Sequence, residues 1–303
     1  MSDYENKMIH PSSEDSLRKR VRVDSSGKVT ILKKDLPNLR KILPTKVEID
    51  MSTKKEKEEK LLTPVLTNAA EEISVPLTAE GINAFQVYAK LLVEWNKVMN
   101  LTGIVDDEGI ALRHFIDSLT LVPYIEREQI AKDNKKLTLI DVGTGAGFPG
   151  IPLKIVKPEL KLDLLDSLQK RLNFLNDVCE KLALTDVHCV HSRAEDAGRA
   201  KKYREKYDVV TARAVASLPV LCEYCLPFVK TGGVFIAMKG HINEEIENAR
   251  KAIVTLGGTV ERVEKFRLPG TEMDRSVIVI RKLRNTPAQY PRQAGKPEKE
   301  PIE

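Results

Sequence analysis

A glycine-rich run is the stretch of this sequence whose residue types and spacing point most directly to ligand chemistry. It reads DVGTGAGFPG over residues 141–150 and follows an apolar segment. Glycines allow the backbone to turn sharply and to approach a ligand closely with its N–H groups facing that ligand. Asp141 can orient such a loop by accepting backbone hydrogen bonds, or it can meet the cationic end of a ligand through water. The run therefore predicts a ligand-binding loop after a strand.

A second acidic residue indicates which kind of ligand the loop serves. Asp166 ends the next apolar segment, where its carboxylate can accept hydrogen bonds from ribose hydroxyls. Gly145, Gly147 and Gly150 also satisfy the pattern of dinucleotide enzymes, so an NAD enzyme is an alternative. Pro149 argues against it, because proline removes an N–H that could face a pyrophosphate. No Gly-Lys-Ser/Thr follows, which excludes a P-loop. The acidic residue two positions before Gly143, together with a predicted antiparallel hairpin near the end of the chain, favours S-adenosylmethionine instead.

Two amphipathic helices precede the loop. The first starts at the N-cap candidate Thr78 and carries apolar residues at three- and four-residue steps as far as Met99. The second is predicted over residues 109–124. Together they predict a small N-terminal helical cap. Arg113, His114 and Asp117 lie close together on the second helix, and the simplest interpretation is a surface group of ions and hydrogen bonds.

From residue 136 onward, strand-like and helix-like segments alternate. The predicted strands cover residues 137–142, 160–166, 187–190, 207–212 and 233–239. Because helices separate them, they should pair in parallel through right-handed crossovers. The end differs: residues 259–266 and 276–282 are strands joined by Pro269-Gly270 without a helix. The predicted fold class is α/β, a Rossmann-like class I methyltransferase whose mostly parallel sheet ends in an antiparallel hairpin.

Charge is distributed unevenly along the chain, and together with the predicted elements it suggests domain boundaries. The chain has 303 residues and a net charge of +5, but residues 1–60 hold 15 of its 49 basic and 11 of its 44 acidic side chains. The remainder is nearly neutral, so total charge does not establish RNA binding. We expect a largely disordered extension over 1–73, the helical cap over 74–136, the methyltransferase domain over 137–283 and a loose basic tail over 284–303. No apolar run approaches a membrane span or a signal peptide, which favours a cytoplasmic protein.

The four cysteines do not form a metal-binding pattern. Only Cys222 and Cys225 make a C-x-x-C, with no second pair at zinc-like spacing. They lie in an apolar, helix-like run, where burial as small apolar side chains is favoured over metal or redox use. We therefore expect no metal site.

Several stretches taken together resemble the bacterial small-subunit ribosomal RNA methyltransferase G family, also called glucose-inhibited division protein B. The resemblance covers about residues 75–303. The matching stretches are LVEWN at 92–96, NLT at 100–102, HFIDS at 114–118, DVGTGAGFP at 141–149, DSLQKRLNFL at 166–175, SRAE at 192–195, DVVTARA at 208–214, DRS at 274–276 and YPR at 290–292.

This resemblance implies methylation of guanine N7 in the 530 loop of 16S ribosomal RNA with S-adenosylmethionine as the cofactor. It implies that Gly143 and Phe148 border the methyl donor, that Ala194 and Glu195 contact its adenine, and that Arg213 lies where donor and substrate meet. With the residues argued above, the predicted donor site contains Asp141, Gly143, Gly145, Phe148, Asp166, Ala194, Glu195 and Arg213.

Guanine N7 is an aromatic lone pair without a proton, so its methylation needs no general base. The segment after the fourth predicted strand, TARA at 211–214, agrees: it has neither the Asn/Asp-Pro-Pro-aromatic cluster usual for amine methylation nor a Pro-Cys nucleophile. Catalysis should come from alignment and exclusion of water. We assign Arg213 a positioning role, through phosphate, guanine O6 or the donor's carboxylate, with a structural ion pair as the alternative.

The partner implied is 16S ribosomal RNA or the small ribosomal subunit, bound by a monomer without membrane contact. Two other functions stay open: methylation of another substrate, and a nucleoside-binding RNA assembly factor without catalysis. Candidate RNA contacts are Lys170, Arg171, Arg193, Lys239, Arg275, Arg292 and Lys296.

Overall fold

The computed structural model describes residues 54–242 and 244–302, with side chains from residue 62, and three two-residue strands nearer the N-terminus. Those strands form a small sheet of their own. Arg22–Val23 pairs antiparallel with Val29–Thr30, which pairs parallel with Ile49–Asp50. The remainder of the predicted disordered extension before residue 54 lies outside the described residues.

Within the described residues, four helices precede the main sheet. They are α1 (Lys54–Glu72), α2 (Ala79–Asn96), α3, which runs through an α-helical turn (Asp107–Gly109), a π-helical segment (Ile110–Ile116) and a second α-helical turn (Asp117–Leu119), and α4 (Val122–Ala131). Thr78 caps α2 as predicted, because its side-chain oxygen accepts the Gly81 N–H at 3.1 Å. The second predicted helix, residues 109–124, is thus divided between α3 and α4.

The main sheet has seven strands. They are β1 (Thr138–Val142), β2 (Lys161–Asp166), β3 (Val187–His191), β4 (Tyr207–Arg213), β5 (Val229–Lys239), β6 (Gly258–Arg267) and β7 (Asp274–Lys282). Their order is β3-β2-β1-β4-β5-β7-β6. The first five pair in parallel, while β7 pairs antiparallel with both β5 and β6. This arrangement confirms the predicted fold class.

Helices cover both faces of the sheet, since parallel neighbours require crossovers. They are α5 (Gly150–Val156), α6 (Gln169–Lys181), α7 (Ala194–Arg199), α8 (Leu218–Cys225), α9 (Glu245–Thr255) and, after the sheet, α10 (Lys296–Lys299). Two apolar clusters form the core, one with the N-terminal helices and one around α8 and α9. Cys222 and Cys225 are fully buried in the second.

Helix α1 contradicts part of the predicted disorder over residues 1–73. Its side chains at Leu62, Leu66, Ala69 and Ala70 are buried in the first core cluster. The prediction of disorder was based on composition, which the lysines and glutamates of this segment dominate, so the spacing of its apolar residues was overlooked. No helix of the described residues is both long and apolar enough to span a bilayer.

The prediction of a loose tail over residues 284–303 is wrong for the residues that are described. Arg204 reaches the tail with its guanidinium and donates to the carbonyl oxygens of Thr286 at 2.6 Å and Tyr290 at 2.7 Å. Arg292 forms a bidentate ion pair with the buried Glu223, its Nε donating to Oε1 at 3.0 Å and its Nη2 to Oε2 at 2.6 Å. Hydrogen bonds between residues so far apart in sequence leave no local pattern, so composition alone could not indicate them.

Candidate functional site

The glycine loop joins β1 to α5, at the carboxyl edge of the sheet. Gly143, Gly145 and Gly147 have φ of 69°, 61° and 93°, values that side chains rarely tolerate. Asp141 is fully buried beneath the loop and accepts hydrogen bonds from the Gly150 N–H at 3.0 Å and the Thr144 hydroxyl at 2.7 Å. Burial raises the pKa of Asp141 to about 6, against the lowering by those hydrogen bonds. Of its two predicted roles, the contacts match orientation of the loop.

A cavity of about 310 Å³ opens beside this loop. Of the predicted donor-site residues, the cavity is lined by Gly143, Asp166, Ala194 and Glu195. Asp141, Gly145 and Phe148 do not belong to that lining. Gly145 nevertheless contributes indirectly, because its N–H donates to Asp166 at 3.0 Å. The sheet thus brings together residues from three different loops.

Asp166 sits at the end of β2 and is almost completely buried. Besides Gly145, the Leu168 N–H donates to its carboxylate at 2.9 Å, and Arg171 forms an ion pair with it at 3.2 Å. The guanidinium of Arg171 is about one third exposed. Arg171 therefore lines the cavity next to the acid predicted to bind ribose, rather than an outer RNA-facing surface.

A second cavity, of about 390 Å³, adjoins the first, and Ala214 lines both. Ala214 follows β4 directly and has a φ of 55°, which turns the chain sharply between the cavities. Cationic groups dominate the second lining. Its charged and titratable members are Arg113, His114, Asp117, Arg213, Lys239 and Arg275.

Asp117 forms ion pairs with two of those guanidinium groups. Its Oδ2 accepts from Nη1 of Arg213 at 2.9 Å, and its Oδ1 accepts from Nε of Arg275 at 2.8 Å. The carboxylate is only 4% exposed, so both ion pairs are largely screened from water. Nη1 of Arg213 also donates to the Arg113 carbonyl at 3.1 Å. Arg213 therefore lines the second cavity in a fixed orientation.

His114 and Phe148 complete the wall behind Arg213. Their rings stack 4.5 Å apart, and the Arg213 guanidinium lies 5.0 Å from the Phe148 ring centre. Burial, with the adjacent Arg213 charge, lowers the pKa of His114 to about 3, so this histidine is neutral at pH 7. Its Nε2 lies 2.8 Å from the Thr102 hydroxyl, and its Nδ1 lies 3.4 Å from Arg213 Nη2. Because Arg213 can only donate, Nδ1 acts as the acceptor and Nε2 carries the proton.

The π-helical segment of α3 positions these side chains. The Asp117 N–H donates to the Leu112 carbonyl, the wide spacing that defines a π turn, and such turns frequently occur at functional sites. Regular helical periodicity could not predict it. The earlier interpretation of Arg113, His114 and Asp117 as a surface group is wrong for the last two, which are 8% and 3% exposed.

The predicted RNA contacts fall into three groups. Lys239 and Arg275 line the second cavity, and Arg171 and Arg193 line the first. Lys170 and Lys296 are exposed outside both cavities. Arg292, by contrast, is committed to Glu223 in the tail, so the structure gives it a structural ion pair in place of the predicted RNA contact.

Sequence reasoning missed several lining residues. Tyr224, Gly295 and Glu298 line the first cavity from α8 and the tail. The only sequence signal for the tail was its YPR motif. For Asp117, the HFIDS motif was a signal, although spacing alone could not link it to Arg213, almost one hundred residues later.

Comparison with known proteins now assigns the family. The family model described as "rRNA small subunit methyltransferase G" matches residues 81–277, a span that includes the glycine loop, Asp117 and Arg213. The chain belongs to this family.

Individual relatives carry the same description. The chain is 57% identical over 247 residues to the ribosomal RNA small subunit methyltransferase G of Acetivibrio thermocellus, covering 82% of this chain and 99% of that protein. It is 50% identical over 234 residues to the protein of that name from Bacillus cereus, covering 77% and 95%. Both alignments span nearly the whole relative.

Among solved structures, one similar protein is a variant of the 16S rRNA (adenine(1408)-N(1))-methyltransferase from Catenulisporales acidiphilia with its cosubstrate. The two share 17% identity over 53% of this chain and 91% of that one, with a TM-score of 0.41. We base the fold of this family member on its own strand order rather than on so distant a likeness.

Proposed function

We propose that this chain transfers a methyl group from S-adenosylmethionine to N7 of a guanine in the 530 loop of 16S ribosomal RNA. Membership of the family supports the ribosomal RNA substrate, and the resemblance in its motifs supports the atom and the loop. The activity would belong to a monomer in the cytoplasm that acts on ribosomal RNA or on the small subunit.

The first cavity fits the methyl donor by the chemistry of its lining. Asp166 offers carboxylate oxygens for ribose hydroxyls, while Ala194 and Glu195 line the end assigned to adenine. A side chain at Gly143 would fill the cradle, because a Cβ there would lie 2.8 Å from the Val215 side chain. S-adenosylmethionine supplies an electrophilic methyl group on a sulfonium sulfur.

The choice of guanine N7 as the methylated atom rests on one observation. Among the described residues of the second cavity, no side chain is free to act as a general base. Both oxygens of Asp117 accept from guanidinium groups, and His114 has a pKa of about 3 and accepts from Arg213. A methyl acceptor that must lose a proton would find no side chain here to take that proton. Guanine N7 has no proton to lose, so it fits this lining, and the chain's part is to orient the nucleotide and exclude water.

Arg213 is the proposed positioning residue. A guanidinium bound to both O6 and N7 of guanine would block the atom that is methylated. Its Nη1 is held by Asp117 and the Arg113 carbonyl, which restrains the direction of the remaining N–H groups. We therefore assign it to a phosphate, to O6 alone or to the donor's carboxylate.

Mapping of N7-methylguanine in 16S ribosomal RNA tests the proposal. RNA from cells with and without the protein is reduced and cleaved at N7-methylguanine, and the cleavage sites are read by primer extension. We expect one site in the 530 loop that depends on the protein. In vitro, labelled S-adenosylmethionine should label purified small subunits from the deficient cells. A label on another base, or no transfer to RNA or subunits, would contradict the proposal.

A further inference from the structure

The C-terminal tail forms part of the wall of the first cavity. Gly295 and Glu298 line it together with Tyr224 from α8 and Glu195 from α7. The Glu195 carboxylate accepts the Gly295 N–H, so the tail lies at the end of the cavity that Ala194 and Glu195 line. This end therefore combines residues from the sheet loops and from the last ten residues of the chain.

The tail is fixed to the body of the domain rather than resting on it. Arg292 pairs with Glu223, which is 1% exposed. Nε of Arg199 donates to the Pro291 carbonyl at 2.6 Å, and Arg204 holds two further carbonyls. Charged hydrogen bonds of this kind, shielded from water, hold a segment in one arrangement. The cavity wall is thus preformed.

Glu195 and Glu298 have different surroundings at this end. Oε1 of Glu195 accepts the Gly295 N–H at 2.9 Å, and the residue is only 5% exposed. Glu195 therefore holds the tail in place. Glu298 is exposed and lines the cavity beside Tyr224. Its carboxylate oxygens therefore keep acceptor capacity for a ligand.

Adenine presents an exocyclic amino group with two hydrogens, for which a carboxylate is a strong acceptor. We propose that Glu298 accepts a hydrogen bond from this amino group and makes the tail a specificity-determining part of the donor site. This inference depends on the proposed function, because it takes the donor to be S-adenosylmethionine. It deepens that function by adding a residue of the tail to the site.

Calorimetric binding of two ligands to four full-length proteins tests the assignment. The ligands are S-adenosylhomocysteine and its analogue in which hydrogen replaces the adenine amino group. The proteins are the wild type, E298A, E298Q and the control E300Q, which alters the neighbouring acid that pairs with Lys296. Glu298 is exposed, so its replacement should leave the tail folded, which thermal unfolding checks.

We expect E298A to bind S-adenosylhomocysteine about tenfold more weakly than the wild type, the usual loss for a hydrogen bond to a charged group. The analogue without the amino group should bind wild type and E298A equally. E298Q keeps an acceptor oxygen and should recover most of the affinity, and E300Q should match the wild type.

Equal weakening of both ligands by E298A, or no weakening of either, would overturn the assignment of Glu298 while leaving the proposed function intact. Failure of the wild type itself to bind S-adenosylhomocysteine would overturn the proposed function and this inference with it.

Discussion

Arg213, the proposed positioning residue, is held in place by three contacts within the protein. Its guanidinium contacts a carboxylate, a backbone carbonyl and an aromatic face. Each contact removes rotational freedom that binding would otherwise have to remove. The side chain is thereby fixed in the lining of the second cavity. Substitution of this residue should therefore affect turnover more than folding.

We expect R213A to reduce methyl transfer to small subunits by at least about tenfold, since a lost charged contact is worth roughly 1.5–3 kcal/mol. Initial rates at saturating donor and subunit measure this. R213K is the matched control: it keeps the charge but loses the planar fork, and its rate should fall between the other two. A rate for R213A within about twofold of the wild type would remove Arg213 from the site.

Asp117 is the residue whose loss should affect stability. Removing one partner from a buried ion pair leaves an uncompensated charge. D117N leaves both Arg213 and Arg275 without a counter-charge and should lower the free energy of unfolding by about 2–4 kcal/mol, measured by urea titration. The control is D274N, because Asp274 pairs with His241 at a site where both side chains are about 60% exposed, and should change it little. Equal effects would contradict this account.

At the level of elements, the positive φ values of the glycine loop predict what an alanine would do there. At Gly143 (φ 69°), an added Cβ would lie 2.8 Å from the Val215 side chain. Gly232 has a similar φ of 82° but open space around it. Both G143A and G232A should lose about 1–2 kcal/mol of stability through strain. Only G143A should also weaken binding of S-adenosylhomocysteine, because Val215 lines the first cavity, the proposed donor site. Calorimetry and urea titration separate the two effects.

The elements also show which parts of this molecule the sequence could predict. The strands and their crossovers followed from local apolar runs, and Pro269-Gly270 marked the hairpin correctly. Asp166 was placed correctly because the end of a parallel strand fixes where its side chain emerges. The π turn of α3 and the packed tail were not predictable, since both depend on hydrogen bonds that no local spacing encodes. Arg204 and Tyr290, for example, meet across 86 positions.

At the scale of the whole molecule, Asp208 connects the N-terminal helices to the sheet. It lies on β4 and accepts hydrogen bonds from Lys132, after α4, at 2.6 Å and from Lys230, on β5, at 3.2 Å. Burial alone would raise the pKa of Asp208, but the hydrogen bonds from Lys132 and Thr138 outweigh it and lower that pKa below its usual value. Asp208 therefore contributes to stability as a carboxylate.

The sign of the pH dependence follows from that lowered pKa. The contribution of Asp208 is complete above the unfolded-state pKa, near 3.9, and is lost as the pH falls below it. D208N should cost about 2 kcal/mol of unfolding free energy between pH 5 and pH 7. The difference from the wild type should shrink between pH 4 and pH 3, measured by urea titration. A difference that stays constant down to pH 3 would contradict the ion-pair role.

The molecule as a whole is close to electrically neutral outside residues 1–60, so binding of RNA must depend on where its cations lie. Arg193 lines the first cavity at its exposed edge, and Lys170 is exposed nearby at the start of α6. Each phosphate neutralised on a single strand contributes a slope of about −0.7 to the plot of log affinity against log salt concentration. The K170A/R193A double variant should therefore bind 16S ribosomal RNA with a slope shallower by about 1.

The control for this effect is K135A/K136A, which removes two exposed lysines just before β1, at the opposite edge of the sheet. It changes the net charge by the same amount, so total charge predicts identical slopes for both double variants. A local cationic surface predicts that only K170A/R193A changes the slope. Filter binding at about 50–200 mM salt distinguishes these two predictions. Equal slopes for the two double variants would rule out a phosphate-binding surface at the edge of the first cavity.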